Sequence, residues 1–218
     1  MIRVLRVLLL FVLLMTFAGP AQAANPEKRL SGLLGDLWTQ VIETPTPRNP
    51  FTGGDFCVRL AEPAHVRIVV PFAPTSTTTV HCTVPSGTML FISAWSSECS
   101  NVEPEPYFGR GEADLRSCAR AADSRINPPV VTLDGRTVPV QEVETALLKA
   151  VLPADNIFDQ RPRTRAQSVG HGWVALLRPL PPGTHTIILR TTGIDVSDAP
   201  VHLVNTTTIV VQRGSGPP

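Results

Sequence analysis

The spacing of apolar residues changes character along this chain. Leu30, Leu33, Leu34, Leu37, Trp38 and Val41 recur at i, i+3, i+4, i+7, i+8 and i+11, one stripe on a helix of about four turns. Asn25-Pro26-Glu27 supplies the N-cap, first-turn proline and early acid of its start. Gly32 and Gly35 weaken such a helix by about 1 kcal/mol each relative to Ala, so it is expected to fold by docking on the rest of the chain. Thr44 to Gly54 is rich in Pro and Gly and reads as a linker. Beyond it the apolar runs shorten to strand length: Phe56–Leu60, Val66–Pro71, Thr79–Val84, Met89–Trp95, Val130–Leu133 and Thr137–Val140. Four more follow at Thr145–Leu152, Val169–Arg178, Thr184–Thr191 and Val201–Val211. Val, Ile, Thr and Phe fill these runs, and Pro, Gly, Asp and Asn separate them.

Turn chemistry adds detail. Asp134-Gly135 between two β runs is a two-residue hairpin signal, because both turn positions need positive φ. Pro181-Pro182-Gly183 reads as a second hairpin turn, joining Val169–Arg178 to Thr184–Thr191. One segment keeps helical spacing: Glu112 to Asp123 places Leu115, Cys118, Ala119 and Ala122 on one face, with Glu112 and Asp114 favourable near its N-terminus. About ten short strands with these two helices predict a mostly β fold. The expected form is an antiparallel β-sandwich, jelly-roll or immunoglobulin-like, with an N-terminal helix and one short inserted helix.

The first 23 residues belong to a different pattern. Arg3 and Arg6 precede an apolar run from Val7 to Phe17, and Ala21-Gln22-Ala23 puts small residues at −3 and −1 of a cleavage site. That run is shorter than the ~18–20 residues of a permanent membrane span, so a cleaved signal peptide is expected. The organisation is then residues 1–23 signal peptide, 24–54 N-terminal helix and linker, 55–213 β-sandwich, and 214–218 a disordered tail. The expected location is secreted, periplasmic or cell envelope. No cysteine follows Ala23 for lipid attachment, and no membrane span is expected in the mature chain.

Cleavage leaves 195 of the 218 residues, enough for one domain with a real core. It removes two arginines, taking the formal charge from +1 to −1. Near-neutrality argues against nucleic acid as a partner. Seventeen Arg against two Lys, with 22 Pro, is the usage of a GC-rich bacterial genome. Four cysteines, 57, 82, 99 and 118, form an even set in an exported chain and predict two disulfides. Of three connectivities, Cys57–Cys82 with Cys99–Cys118 is expected, since each joins segments a short excursion apart. Zinc is the rival reading, but the spacings lack paired C-x₂₋₄-C knuckles.

Candidate chemistry is sparse. There is no G-x-S-x-G elbow, no H-E-x-x-H and no phosphate-cradling G-x-x-x-x-G-K-[ST], and bridged cysteines offer no thiolate. No catalytic residue, metal or cofactor is assigned, and no enzyme is expected. Of the five histidines, His171 and His185 would end about 23 Å apart if the Pro181-Pro182-Gly183 turn closes a hairpin. His171 would then face Thr192, and His185 would face Arg178. His185 is expected to be a structural hydrogen-bonder. Trp95 and Trp173 read as core residues, and Arg161, Arg163 and Arg165 as a solvated loop.

Acidic and aromatic residues gather in one excursion: Glu98, Glu103, Glu105, Tyr107, Phe108, Glu112 and Asp114. Carboxylates beside exposed aromatics suit a sugar, by stacking on the ring and accepting its hydroxyl hydrogen bonds. The same carboxylates suit calcium, although no D-x-D-x-D-G loop is present. The expected function is an exported, disulfide-stabilised sandwich that binds a cell-envelope or extracellular ligand such as a glycan. The ligand-binding candidates are Glu98, Glu103, Glu105, Tyr107, Phe108 and Glu112. Two alternatives are a hydrolase using Asp/Glu acid–base chemistry and a structural or protein-interaction module.

Several local strings resemble a recurring group of bacterial secreted proteins of unknown function. They are Asn49-Pro50 with Gly53 ahead of Cys57, Cys82-Thr83-Val84-Pro85-Ser86-Gly87, Ser97-Glu98-Cys99-Ser100, and Glu112-Ala113-Asp114-Leu115-Arg116-Ser117-Cys118-Ala119. Asp134-Gly135, Leu152-Pro153-Ala154-Asp155-Asn156, Gly172-Trp173 and Pro179-Leu180-Pro181-Pro182-Gly183-Thr184-His185-Thr186-Ile187 extend the likeness over roughly Asn49 to Val211. The last string is its most specific part. The resemblance implies export and a β-rich fold. The charged stretch after Cys57, with Arg59, Glu62, Pro63, His65 and Arg67, departs from the smoother apolar strand of that group.

Overall fold

A computed structural model describes residues 25–53, 56–60, 67–71 and 79–213. The expected signal peptide, the tail 214–218 and most of the charged stretch after Cys57 lie outside the described residues. The chain starts with α1 (Pro26–Glu43), followed by two short 3₁₀ turns at Thr46–Arg48 and Pro50–Thr52. The strands are β1 (Cys57–Leu60), β2 (Ile68–Pro71), β3 (Thr79–Pro85), β4 (Met89–Ser100), β5 (Val130–Leu133), β6 (Arg136–Val138), β7 (Gln141–Glu144), β8 (Leu148–Val151), β9 (Arg165–Leu177), β10 (Gly183–Ile194) and β11 (Pro200–Gln212). The second helix, α2 (Glu112–Asp123), lies between β4 and β5.

Two sheets pack together. The first has the order β1-β2-β4-β9-β7, with β8 also on β9; the second runs β3-β11-β10-β5-β6. Their facing sides form the main core, with Ile92, Trp173 and Ala175 of the first sheet against Val80, Val131, Ile187, Leu189 and Ile209 of the second. Burying such residues is the main favourable contribution to folding, about 25 cal/mol per Å² of apolar surface. The predicted mostly β fold with one N-terminal and one inserted helix is therefore present, and neither sheet closes into a barrel.

The sheets are mixed rather than antiparallel throughout. β2 runs parallel to β4, and β3 runs parallel to β11 from Thr79 beside Thr206 to Pro85 beside Gln212. The chain crosses repeatedly between the sheets, so β2 and β3, β3 and β4, β4 and β5, β6 and β7, and β9 and β10 lie in different sheets. The same crossing overturns the second hairpin. β9 belongs to the first sheet and β10 to the second, where β10 pairs with β11 and β5. His171 consequently faces Ser97 and Glu144, not Thr192, and His185 faces Ile209, not Arg178. Pro181 and Pro182 lie in the connection from β9 to β10, which carries the chain from the first sheet to the second. The Asp134-Gly135 hairpin does form: Leu133 pairs with Arg136, and both turn residues have positive φ, 49° and 78°.

α1 is capped as expected, the Asn25 side chain accepting from the Glu27 N–H at 3.1 Å. Its stripe, including Leu34, Leu37, Trp38 and Val41, docks on the outer side of the first sheet against Val70, Phe91, Val143 and Val174. The linker is held rather than loose. Asn49 is fully buried, and its amide donates to the carbonyls of Val41 (2.8 Å) and Thr44 (3.2 Å) at the helix end. α2 covers the opposite side of the first sheet beyond the edge of the second, packing Leu115 and Ala119 on Cys99 and Val169.

Two strand boundaries differ from the apolar pattern. Of the run Thr145–Leu152 only Leu148–Val151 is strand, as β8, while Gln141–Glu144 just ahead of it forms β7; between them buried Thr145 locks to Gly170 by its N–H and its hydroxyl, both at 2.9 Å. β4 continues five residues past Trp95 through Ser96, Ser97 and Glu98. Those polar residues hide the strand from a hydrophobicity reading, yet Glu98 and Ser100 are buried.

Candidate functional site

The excursion from Glu98 to Asp114 is stapled at both ends. Cys99 on β4 is bonded to Cys118 on α2, and Cys57 on β1 to Cys82 on β3, linking the two sheets. The pairing is the expected one. Between these anchors the loop is tied along its length. Ser100 donates its N–H to the Tyr107 carbonyl (3.0 Å) and accepts from the Gly109 N–H (3.1 Å), while Gln160 donates to the Val102 carbonyl at 3.1 Å. These bonds cover the edge of β4 that β9 does not use.

The six candidate residues divide into four groups. Glu98 and Glu103 come together: Glu98 is 5% exposed, and Glu103 turns back from the loop to accept from the Ser100 hydroxyl at 3.0 Å. Burial, then the neighbouring Glu103 charge and a hydrogen bond with it, pushes the Glu98 carboxyl well above the usual carboxylate range. Burial also raises Glu103. Tyr107 packs down with Leu115, Ala119 and Val169, and burial followed by the Asp195, Glu103 and Asp123 charges raises its phenol. Glu112 pairs with Arg116 one helical turn on, at 2.6 Å. Glu105, exposed, and Phe108, half-buried, complete the six at the surface of the loop, where Glu112 is exposed as well.

Arg116 and Arg120 from α2 also grip Glu144 of β7, Arg120 at 2.6 Å. Burial works to raise the Glu144 carboxyl, but its hydrogen bonds from the two arginines outweigh it and leave it below its ordinary range. This network pins α2 to the first sheet.

A second polar centre carries no obvious sequence motif. Asp123, the last residue of α2, is 1% exposed and accepts three hydrogen bonds. The donors are Trp95 Nε1 (2.7 Å), the Ser97 hydroxyl (2.5 Å) and His171 Nδ1 (2.9 Å). Trp95 thus has the partner a tucked-in indole needs. With Nδ1 donating to Asp123, the imidazole is oriented so that Nε2 faces Glu142 Oε1 at 3.4 Å. The one sequence signal was the acid itself: a carboxylate in the last turn of a helix opposes the helix dipole, so it needs a compensating role.

No protein-family model and no curated protein matches this chain.

His185 hydrogen-bonds Asp134 at 2.8 Å and the Pro181 carbonyl at 2.9 Å, fixing the corner between layers. The hydrogen bond to Asp134, then that to Pro181, raises the imidazole, while Asp134 is lowered. Arg161, Arg163 and Arg165 are exposed, and Trp173 lies in the core. His65 lies outside the described residues. As for acid–base hydrolysis, a retaining carboxylate pair sits about 5 Å apart and an inverting pair farther, both in an open cleft. Glu98 and Glu103 instead touch, with Glu98 buried.

Proposed function

We propose that this chain is exported and works outside the cytoplasm as a non-catalytic binding module for a cell-envelope or extracellular glycan, using the Cys99–Cys118 excursion. The signal-like N-terminus and the two disulfides support the compartment, since such bonds persist where thiols are not kept reduced. The observation that carries the site is the anchoring of the loop by a disulfide, by α2 and by the Ser100 hydrogen bonds. A rigid loop loses little conformational entropy on binding. It presents Phe108 as a half-buried stacking surface and, three residues earlier, the exposed Glu105 carboxylate as an acceptor for sugar hydroxyls. Tyr107 supports the loop from below.

The test separates contact from support. Phe108→Ala with Glu105→Ala is expected to abolish retention on envelope polysaccharide while leaving the melting temperature within a few degrees. Tyr107→Ala is expected to lower stability first. Retention unchanged in the double variant would remove the excursion as the binding site.

A further inference from the structure

The Glu98–Glu103 pair poses a charge problem that no described residue solves. Glu98, Ser100, Ser168 and Gly170 lie on one side of adjacent strands, Glu98 paired with Gly170 and Ser100 with Ser168. α1 closes that side: a Cβ on Gly170 would lie 2.6 Å from Trp38 Cδ1 and 3.1 Å from its Nε1. Among the described residues, no Lys, Arg or His hydrogen-bonds or ion-pairs with either carboxyl. The influences on Glu98 are burial, Glu103 and Ser168, none of them a cation. A carboxylate as deep as Glu98, with the half-buried Glu103 carboxylate against it, requires a positive partner or a proton.

The unmet hydrogen-bonding capacity points to the former. Glu98 Oε1 and Ser168 Oγ are both buried without a hydrogen-bond partner. Ser168, 1% exposed, stands close enough to favour the Glu98 anion, yet the two oxygens make no bond with each other. Neither oxygen meets a donor or a cation among the described residues. A hard cation between them satisfies both, and takes the Glu103 carboxylate and Ser100 hydroxyl as further ligands.

We propose that Glu98, Glu103, Ser100 and Ser168 bind a calcium-class divalent cation beneath the root of the excursion. All four donors are oxygen, which selects hard cations over zinc or copper. Main-chain carbonyls and water complete the six to eight ligands calcium takes. The unpartnered Trp38 N–H donates to a cation-bound water or to a carboxylate ligand. The site spans β4, β9 and the loop, so occupancy fixes the root of the excursion whether or not its tip binds a glycan. With only two carboxylates, affinity belongs to the range of extracellular modules, about 10⁻⁴–10⁻³ M.

The experiment uses the full chain stripped with EDTA. Calcium at ten times its Kd is expected to raise the melting temperature by about 3–5 °C, magnesium far less. Terbium is expected to luminesce when tryptophan is excited, through Trp38, and calcium to quench that signal. Glu98→Gln and Glu103→Gln should lose both responses. Ser168→Ala, which removes one hydroxyl, should fold normally and weaken calcium at least several-fold. Absence of a calcium response and of terbium luminescence in the wild type would overturn the site, leaving a shared proton as the neutralising charge. Responses equal in the wild type and both glutamine variants would overturn it equally.

Discussion

Removing the buried Asp123 carboxylate is expected to do more damage than removing an exposed or half-exposed charge. In Asp123→Ala three donors, Trp95 Nε1, Ser97 Oγ and His171 Nδ1, lose their acceptor in a site that is 1% exposed. Each buried group left unsatisfied costs about 1–3 kcal/mol. The three share one acceptor and relax together, so their costs do not add fully. A loss of about 4 kcal/mol is expected, a large part of the 5–15 kcal/mol by which domains are typically stable. Asp123→Asn separates geometry from charge. Its Oδ1 still accepts from Trp95 and Ser97, but its amide N–H₂ meets His171 Nδ1, which must shed its proton and take the other tautomer. That rearrangement keeps all three contacts and should cost only about 1–2 kcal/mol, as a hydrogen bond weakened rather than lost. Urea unfolding with both disulfides intact measures the difference, and the near-ultraviolet signal of Trp95 reports whether the indole stays fixed. If alanine costs less than about 1.5 kcal/mol, or asparagine costs as much as alanine, the reasoning from donor count fails.

Three further outcomes follow from the same contacts. Replacing Cys99 and Cys118 by alanine is expected to cost about 3 kcal/mol, the loop-closure value for a separation near 19 residues, read by urea titration; a cost near zero would mean the excursion is ordered without its staple. Gly172→Ala should abolish soluble expression or cost about 3 kcal/mol or more, because the added Cβ would lie 2.2 Å from the Trp95 carbonyl oxygen; a variant that melts normally refutes the close approach. The Asp134–His185 pair should make stability bell-shaped in pH. His185 is raised in the fold, so its contribution is complete below the ordinary imidazole pKa and lost as pH rises through the raised value. Asp134 is lowered, so its contribution is present above the ordinary carboxylate pKa and lost as pH falls through the lowered value. Asp134→Asn, which retains the turn's positive φ, should flatten both limbs of a melting-temperature profile between about pH 3 and 8. Two unchanged limbs would refute the coupling.

What the sequence revealed and what it hid divide along a physical line. Features set by neighbours in the chain were legible: the Asn25 cap, the α1 stripe, the Asp134-Gly135 turn, the limits of α2 and the short-range disulfides. Each depends on spacing or φ preference within about 25 residues. Features set by the crossing of the chain between sheets were not. The Pro181-Pro182-Gly183 turn looked like a hairpin because its residues suit one, and only the placement of β9 and β10 in different sheets decides otherwise. β4 past Trp95 was invisible for a related reason: Ser97 and Glu98 are polar, and they are tolerated inside only because Asp123, Glu103 and the strand pairing bring partners from distant positions.

The excursion illustrates the consequence for function. Composition placed Glu98, Tyr107 and Phe108 in one loop and suggested a common surface. In β structure a shift of one residue reverses the side a residue faces. Along β4, Glu98 faces α1 while Ser97 and Cys99 face α2. A single acidic run therefore supplies two separate polar centres: Ser97 completes the Asp123–His171 centre, and Glu98 joins Glu103 and Ser168 under Trp38. Both centres sit against β9, on opposite sides, so a perturbation that shifts β4 against β9 must disturb both. Only residues of the excursion beyond β4, where alternation ends, are free to share one exposed surface, Glu105 and Phe108 among them.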